Sequence, residues 1–251
     1  MINIGLQMYT VRDECEKDFL GTIEKVATIG YKGLEFCGYY GIEATELRKY
    51  IDKLGLKALS AHVALTDMQE NLEKEIEYAK ILGMKTIALP WLPEEYRKDS
   101  DAYLKTSELV RVLDEKCSKA GIQLCYHNHD FEFEKIGEEY VLDVFLNKAT
   151  NLKLELDTFW TSFVGIDTLE YMKKNASRLQ YIHLKDMIKG EKPEFAEVGE
   201  GCLNIRSFIK AAVELGVEWA FVEQDRCLRP SIESVKISYD NIKRMMVDDK
   251  S

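Results

Sequence analysis

The sequence is poor in several things that would direct its reading elsewhere. No G-x-G-x-x-G follows its first apolar run, so a dinucleotide-binding turn has no motif to rest on. No stretch approaches the roughly 18 apolar residues that a spanning helix needs. Met1-Ile2-Asn3-Ile4-Gly5 carries no basic segment leading into an apolar one, so no membrane insertion or export is expected. Positive charge is in deficit: 34 Lys and Arg stand against 44 Asp and Glu, a net charge of −10 that argues against a nucleic-acid partner. The six cysteines (Cys15, Cys37, Cys117, Cys125, Cys202, Cys227) include no C-x-x-C pair, which points to reduced thiols in the cytoplasm. With only four prolines, nothing suggests a disordered chain; the tail over 248–251 alone is expected to fray.

What the sequence has is a repeated joint. Five times an amphipathic segment ends at glycine and a short apolar run follows: after Gly30, Gly55, Gly83, Gly121 and Gly216. Glycine closes a helix C-terminus in the left-handed region, and the chain then enters a buried strand. Helical stripes precede the joints, as in Phe19, Ile23, Val26 and Ala27, or Leu104, Leu109, Val112, Leu113 and Cys117. Further strands near Ile2–Met8, Leu152–Leu156 and Tyr181–Leu184 bring the number to eight. Strands that alternate with helices pair in parallel, and eight such units over 251 residues predict one domain, 1–251, closed as an α/β (β/α)8 TIM barrel. A doubly wound open sheet is the alternative. Helix starts are expected at Thr66-Asp67 before Met68–Leu82, at Asp99-Ser100-Asp101, and at Ser231 before Ile232–Met246. The longest excursion without periodicity, Asp186 to Cys202, follows the seventh strand and would lie on the catalytic face.

All four histidines, His62, His127, His129 and His183, fall at or beside the end of an expected strand. So do the carboxylates Glu35, Asp157 and Glu223. Strand ends of a parallel barrel open onto one face, where residues distant in sequence meet. An acidic group on an apolar strand is costly to bury without a cation or donors, and a metal would compensate it. For any one histidine, a satisfied polar strand terminus is as good an account, and for Glu35 so is a salt bridge at the rim. Two imidazoles with two carboxylates suit Mn²⁺, Zn²⁺, Co²⁺ or Fe²⁺ more than Ca²⁺.

The stretches Ile4-Gly5-Leu6-Gln7-Met8-Tyr9-Thr10-Val11-Arg12-Asp13, Gly33-Leu34-Glu35-Phe36, Ser60-Ala61-His62 and Tyr126-His127-Asn128-His129-Asp130-Phe131-Glu132-Phe133 carry a resemblance, continued in Leu156-Asp157-Thr158-Phe159-Trp160, Tyr181-Ile182-His183-Leu184-Lys185-Asp186, Val198-Gly199-Glu200-Gly201 and Val222-Glu223. In this order they resemble the xylose isomerase-like barrel superfamily, also described as AP endonuclease 2-like. It includes ketose 3-epimerases, inosose dehydratases and sugar phosphate isomerase/epimerase proteins. The resemblance implies one divalent metal, Mn²⁺, Zn²⁺, Co²⁺ or Mg²⁺, on four strand ends. Asp157, His183 and Glu223 match the family's ligands, while His127 stands where the family usually has a carboxylate.

The implied activity is that of a sugar isomerase or epimerase removing a proton beside a carbonyl. Glu223, His129 and His127 are its acid–base groups, and Gln7, Glu35, His62, Lys185 and Trp160 bind the substrate. For Lys185 a rim salt bridge with Asp186 or Glu200 is the competing assignment, and Tyr9, Phe159 and Trp160 offer apolar walls. The same proton abstraction can end in elimination from a keto-sugar or keto-glycoside, which makes a lyase or dehydratase the first alternative. A metal-free barrel that only binds a sugar or a partner is the second. An endonuclease IV-like role would need a three-metal cluster, which four histidines hardly furnish. The expected partner is a small carbohydrate, with a homo-oligomer open.

Overall fold

In the computed structural model, which describes residues 2–190, 192 and 194–248, eight parallel strands form a ring. They are β1 (Asn3–Gln7), β2 (Gly33–Phe36), β3 (Lys57–Ala61), β4 (Thr86–Leu89), β5 (Gln123–His127), β6 (Lys153–Asp157), β7 (Leu179–Leu184) and β8 (Trp219–Val222). Each pairs with its sequence neighbour, and β1 pairs with β8. The seam between β3 and β4 is a single bridge, His62 to Ala88, reinforced by Val63 N–H to Ala88 O at 2.9 Å and Thr86 Oγ1 to Leu59 O at 2.8 Å. The barrel expectation therefore holds, with seven full ladders and one short one.

The five joint glycines all have positive φ and stand at or just past the ends of helices Phe19–Ile29, Ala44–Leu54, Leu72–Leu82, Ser100–Lys119 and Ile205–Glu214. Inside the ring, alternate residues of each strand point at the axis. Leu59, Ala88, Cys125, Tyr181, Trp219 and Phe221 fill the lower interior as an apolar plug. The narrowness there explains Gly5, where an added Cβ would stand 2.7 Å from a ring carbon of Phe221. Gly5→Ala should overpack the plug and cost about 1–3 kcal/mol, read as a lower urea midpoint at unchanged slope. Higher in the ring the same inward pleat carries the polar residues of the site.

Several local expectations need correction. The helix expected over 68–82 is two, Leu65–Glu70 and Leu72–Leu82, broken at Asn71; Ala64, without a side-chain cap, precedes the first. Asp67 thus sits inside the first turn. The buried stripe of Ser100–Lys119 is Tyr103, Thr106, Val110, Leu113 and Cys117, and Leu104 is exposed, because the covered face is turned one position from the expected one. Asp99 does cap that helix, its side chain accepting from Ala102 N–H at 2.8 Å. Ser231 opens its helix, but its hydroxyl donates to Asp13 at 2.6 Å.

The excursion after β7 contains an antiparallel ribbon, Asp186–Ile188 with Glu194–Ala196. Asp186 organises its return, accepting from the backbone N–H groups of Gly199, Gly201 and Leu203 at 2.9 to 3.1 Å. The end of the tail, 249–251, lies outside the described residues. No described helix is long and apolar enough to cross a membrane.

Candidate metal centre

Strand alternation builds the centre in two tiers. Tyr181, His183 and then Lys185 point inward from β7 and its end, Glu155 and Asp157 from β6, His127 from the end of β5, and Glu223 from just past β8. A one-residue slip in any register would turn these groups out onto the helices. Asp157 is fixed twice: its N–H donates to the buried Asn128 side chain at 2.9 Å, and its Oδ1 accepts from Trp160 N–H at 2.9 Å. Its other oxygen, Oδ2, is buried and faces the Lys185 ammonium at 2.9 Å.

The upper tier is His127, Asp157, His183 and Glu223, all buried, with ligand atoms within 4.8 Å of one another. His127 Nε2 lies 3.9 Å from Asp157 Oδ2 and 3.9 Å from Glu223 Oε2, while His183 Nδ1 is 2.8 Å from Glu223 Oε2. The Lys185 ammonium lies 2.9 Å from each of Asp157 Oδ2, Glu223 Oε2 and Asp225 Oδ1. The rim pairs considered for Lys185 are therefore not formed: Glu200 pairs with Arg229, and Asp186 holds backbone amides. Just beneath lie Glu35, His62 and Glu155, with Glu155 Oε1 2.7 Å from His62 Nε2 and 3.1 Å from His183 Nε2.

Burial and charge set the proton positions. Burial would hold Glu223 neutral, but Lys185 and His183 outweigh it and bring the carboxyl well below the usual range. Burial likewise opposes the charges on Lys185 and His183, yet their carboxylate neighbours lift both well above normal. His127 goes the other way: burial first and the nearby His183 second push it down to about 3, so its imidazole is neutral and free to coordinate. Burial and the His127 ring also keep His129 neutral.

Glu132, whose carboxylate accepts from Tyr126 O–H at 2.6 Å and His129 N–H at 2.7 Å, is lifted by burial to about 8 from 4.5. The folded protein thus keeps a proton there that the unfolded chain releases above pH 4.5. Stability from this group is full below that pH and is lost as pH rises towards 8. Glu132→Gln should shrink the fall in urea midpoint between pH 5 and pH 8; an equal fall in both proteins would exclude this assignment.

Above the tiers opens a cavity of about 640 Å³. Of the residues assigned to substrate or catalysis from the sequence, His62, His127, His129 and Glu223 line it. Gln7, Glu35 and Lys185 lie buried outside the lining, and Trp160 sits 5.4 Å from the His129 ring. His129 belongs to neither donor set found among the described residues, whereas His127 belongs to both. The sequence reading missed Glu155, which strand alternation signals by its place two residues before Asp157. It also missed Asp225, and the far wall of Tyr39, Asp67, Glu75 and Trp91, loop and helix positions that carry no periodic signal.

Comparison with known proteins agrees with this architecture. A profile described as xylose isomerase-like TIM barrel matches residues 23–244. An inosose dehydratase of Geobacillus kaustophilus is 22% identical, over 89% of this chain and 86% of its own. The crystal structure of a sugar phosphate isomerase/epimerase from Parabacteroides distasonis superposes with a TM-score of 0.77 at 27% identity, covering 96% of this chain and 93% of that one. A probable 3-DHS dehydratase from Bacillus anthracis shares the fold, with a TM-score of 0.80 at 13% identity over 96% and 99%.

Proposed function

The chain belongs to the xylose isomerase-like TIM barrel family, and from that premise we propose that it is a metal-dependent isomerase or epimerase acting on a sugar or sugar derivative. The observation that carries the reading is the convergence of His127, Asp157, His183 and Glu223 beside a cavity large enough for a carbohydrate. These residues fit a divalent ion: the set mixes two imidazoles with two carboxylates, all buried with ligand atoms within 4.8 Å of one another, and His127 is held neutral. When bound, the ion would polarise a carbonyl or hydroxyl oxygen and stabilise the charge that develops there. Mn²⁺ is the first ion to try, because a set of two imidazole nitrogens and two carboxylate oxygens suits it.

The chain's own groups handle the proton. Glu223, kept ionised and lining the cavity, takes the proton from the carbon beside the carbonyl. His129 is neutral and lines the same cavity, the second position from which a proton can be exchanged with the substrate. Lys185 does not reach the cavity; it holds Asp157, Glu223 and Asp225 in place. Tyr9, Tyr39 and Trp91 offer apolar faces to the C–H side of a sugar ring.

One observation favours a second reading. Proton exchange between two opposed carboxylates needs an acid where His127 stands, and that position holds a neutral imidazole instead. One base suffices for β-elimination, and dehydratases are among the chain's relatives. Incubation with ketoses and keto-glycosides in deuterated water separates the two. Label beside the carbonyl with every substituent retained supports the isomerase, and loss of a substituent supports the lyase.

A further inference from the structure

The cavity runs away from the metal centre in one direction. The four candidate ligands stand at the ends of β5 to β8, yet β6 and β7 with the segments that follow them give no residue to the cavity lining. On that side the rings of Trp160 and Phe195 lie 6.0 Å apart, each 5.9 Å from the Lys185 ammonium, and Phe195 stacks on Phe159 at 4.6 Å. This aromatic cover closes that half of the mouth. The opposite half is open: the lining continues through Tyr39 after β2, Asp67 and Glu75 on the helices after β3, and Trp91 after β4. A substrate whose reacting carbon lies at the ligands therefore extends over β1 to β4. It has room to do so, because about 640 Å³ falls well inside the range of about 300–1,000 Å³ that encloses a drug-sized ligand, and a single ketose ring leaves much of it empty.

The far wall has the chemistry of carbohydrate recognition. Tyr39 is held by Tyr78, their rings 3.7 Å apart and 18° from parallel, and Trp91 is 44% exposed. Such faces pack on the C–H side of a sugar ring. Asp67 and Glu75 line the same wall, and neither makes an ion pair or a side-chain hydrogen bond among the described residues. Free carboxylates accept strong hydrogen bonds from sugar hydroxyls. Charge excludes an anionic occupant. Among the described residues no Lys or Arg lines the cavity, and the nearby Arg97 is turned to Leu92 O at 3.0 Å and the Phe131 ring at 4.2 Å. A phosphate, carrying a charge of about −1.5 to −2, would be repelled by Asp67 and Glu75.

We propose that the far half of the cavity is a subsite for a second, uncharged sugar ring, so that this barrel takes a ketose joined to another ring by a glycosidic bond. The second ring stacks on Tyr39 and Trp91 and gives its hydroxyls to Asp67 and Glu75. Held away from the reacting carbon, it supplies binding energy that positions the first ring against the ligands. The inference rests on the proposed function only for which ring reacts.

The test is calorimetric titration of Mn²⁺-loaded protein with D-fructose, D-fructose 6-phosphate and five glycosylated fructoses of different linkage: lactulose, maltulose, isomaltulose, turanose and leucrose. At least one disaccharide should bind about tenfold or more tightly than D-fructose, and D-fructose 6-phosphate no more tightly. Glu75→Gln and Trp91→Ala, at half-buried and exposed positions, should each shrink that ratio severalfold. Disaccharides no tighter than D-fructose, an absence of binding by any of them, or a preference for the phosphate overturns the subsite. Proton exchange on the same sugars keeps the two readings apart. Exchange on D-fructose without a gain from the second ring strikes the subsite and leaves the proposed function standing. A disaccharide preference lost in Trp91→Ala, without exchange on any sugar, keeps the subsite and strikes the function.

Discussion

Glu223→Gln should lower turnover by about 10²–10⁴-fold, the usual worth of a positioned general base, while leaving substrate affinity much less affected. The amide keeps the shape of the side chain and an oxygen towards the axis, but it cannot take a proton. Glu223 lines the cavity, whereas Lys185 and His183 reach it from behind and hold it ionised. A drop confined to KM with kcat retained would instead make Glu223 a binding group and hand the proton to His129. Comparing Glu223→Gln with His129→Gln, each by kcat and KM separately, assigns the base.

Lys185→Met should destabilise the apo protein by about 3–5 kcal/mol, the cost of leaving buried carboxylates without their cation. For a barrel of this size that is a fall in Tm on the order of 10 °C. Lys185 is fully buried, and its ammonium contacts Asp157, Glu223 and Asp225. Saturating Mn²⁺ should return much of the loss, because a dication among the same oxygens does the ammonium's electrostatic work. Thermal unfolding in chelator and in Mn²⁺ measures both terms. An equal fall in the two conditions would show that no ion binds near these carboxylates.

The barrel was legible because its signals are local and repeated. Each joint glycine marks a helix end by a backbone conformation that other residues resist, and all five stand where the sequence placed them. The strand-end residues Asp157, His183 and Glu223 were legible through the parallel rule, which sends every strand's C-terminus to one face. Lys185 was harder, because its partners are set by long-range register; the sequence offered Asp186 and Glu200, and the barrel supplies three carboxylates from β6 and the end of β8. Glu155 followed from the same pleat as Asp157 but is invisible to a search for strand ends. The ribbon Asp186–Ile188 with Glu194–Ala196 depends on the amides that Asp186 gathers, a tertiary device with no periodicity.

Solvent exchange at carbon tests the central claim most directly. Native protein stripped of metal is incubated in deuterated water with a panel of ketoses, and the proton beside the carbonyl is followed by NMR with Mn²⁺ or with chelator. The predicted result is exchange that appears with Mn²⁺ and stops with chelator; exchange at the same rate in both, or in neither for any ketose tested, would contradict a metal-assisted proton abstraction at this barrel mouth.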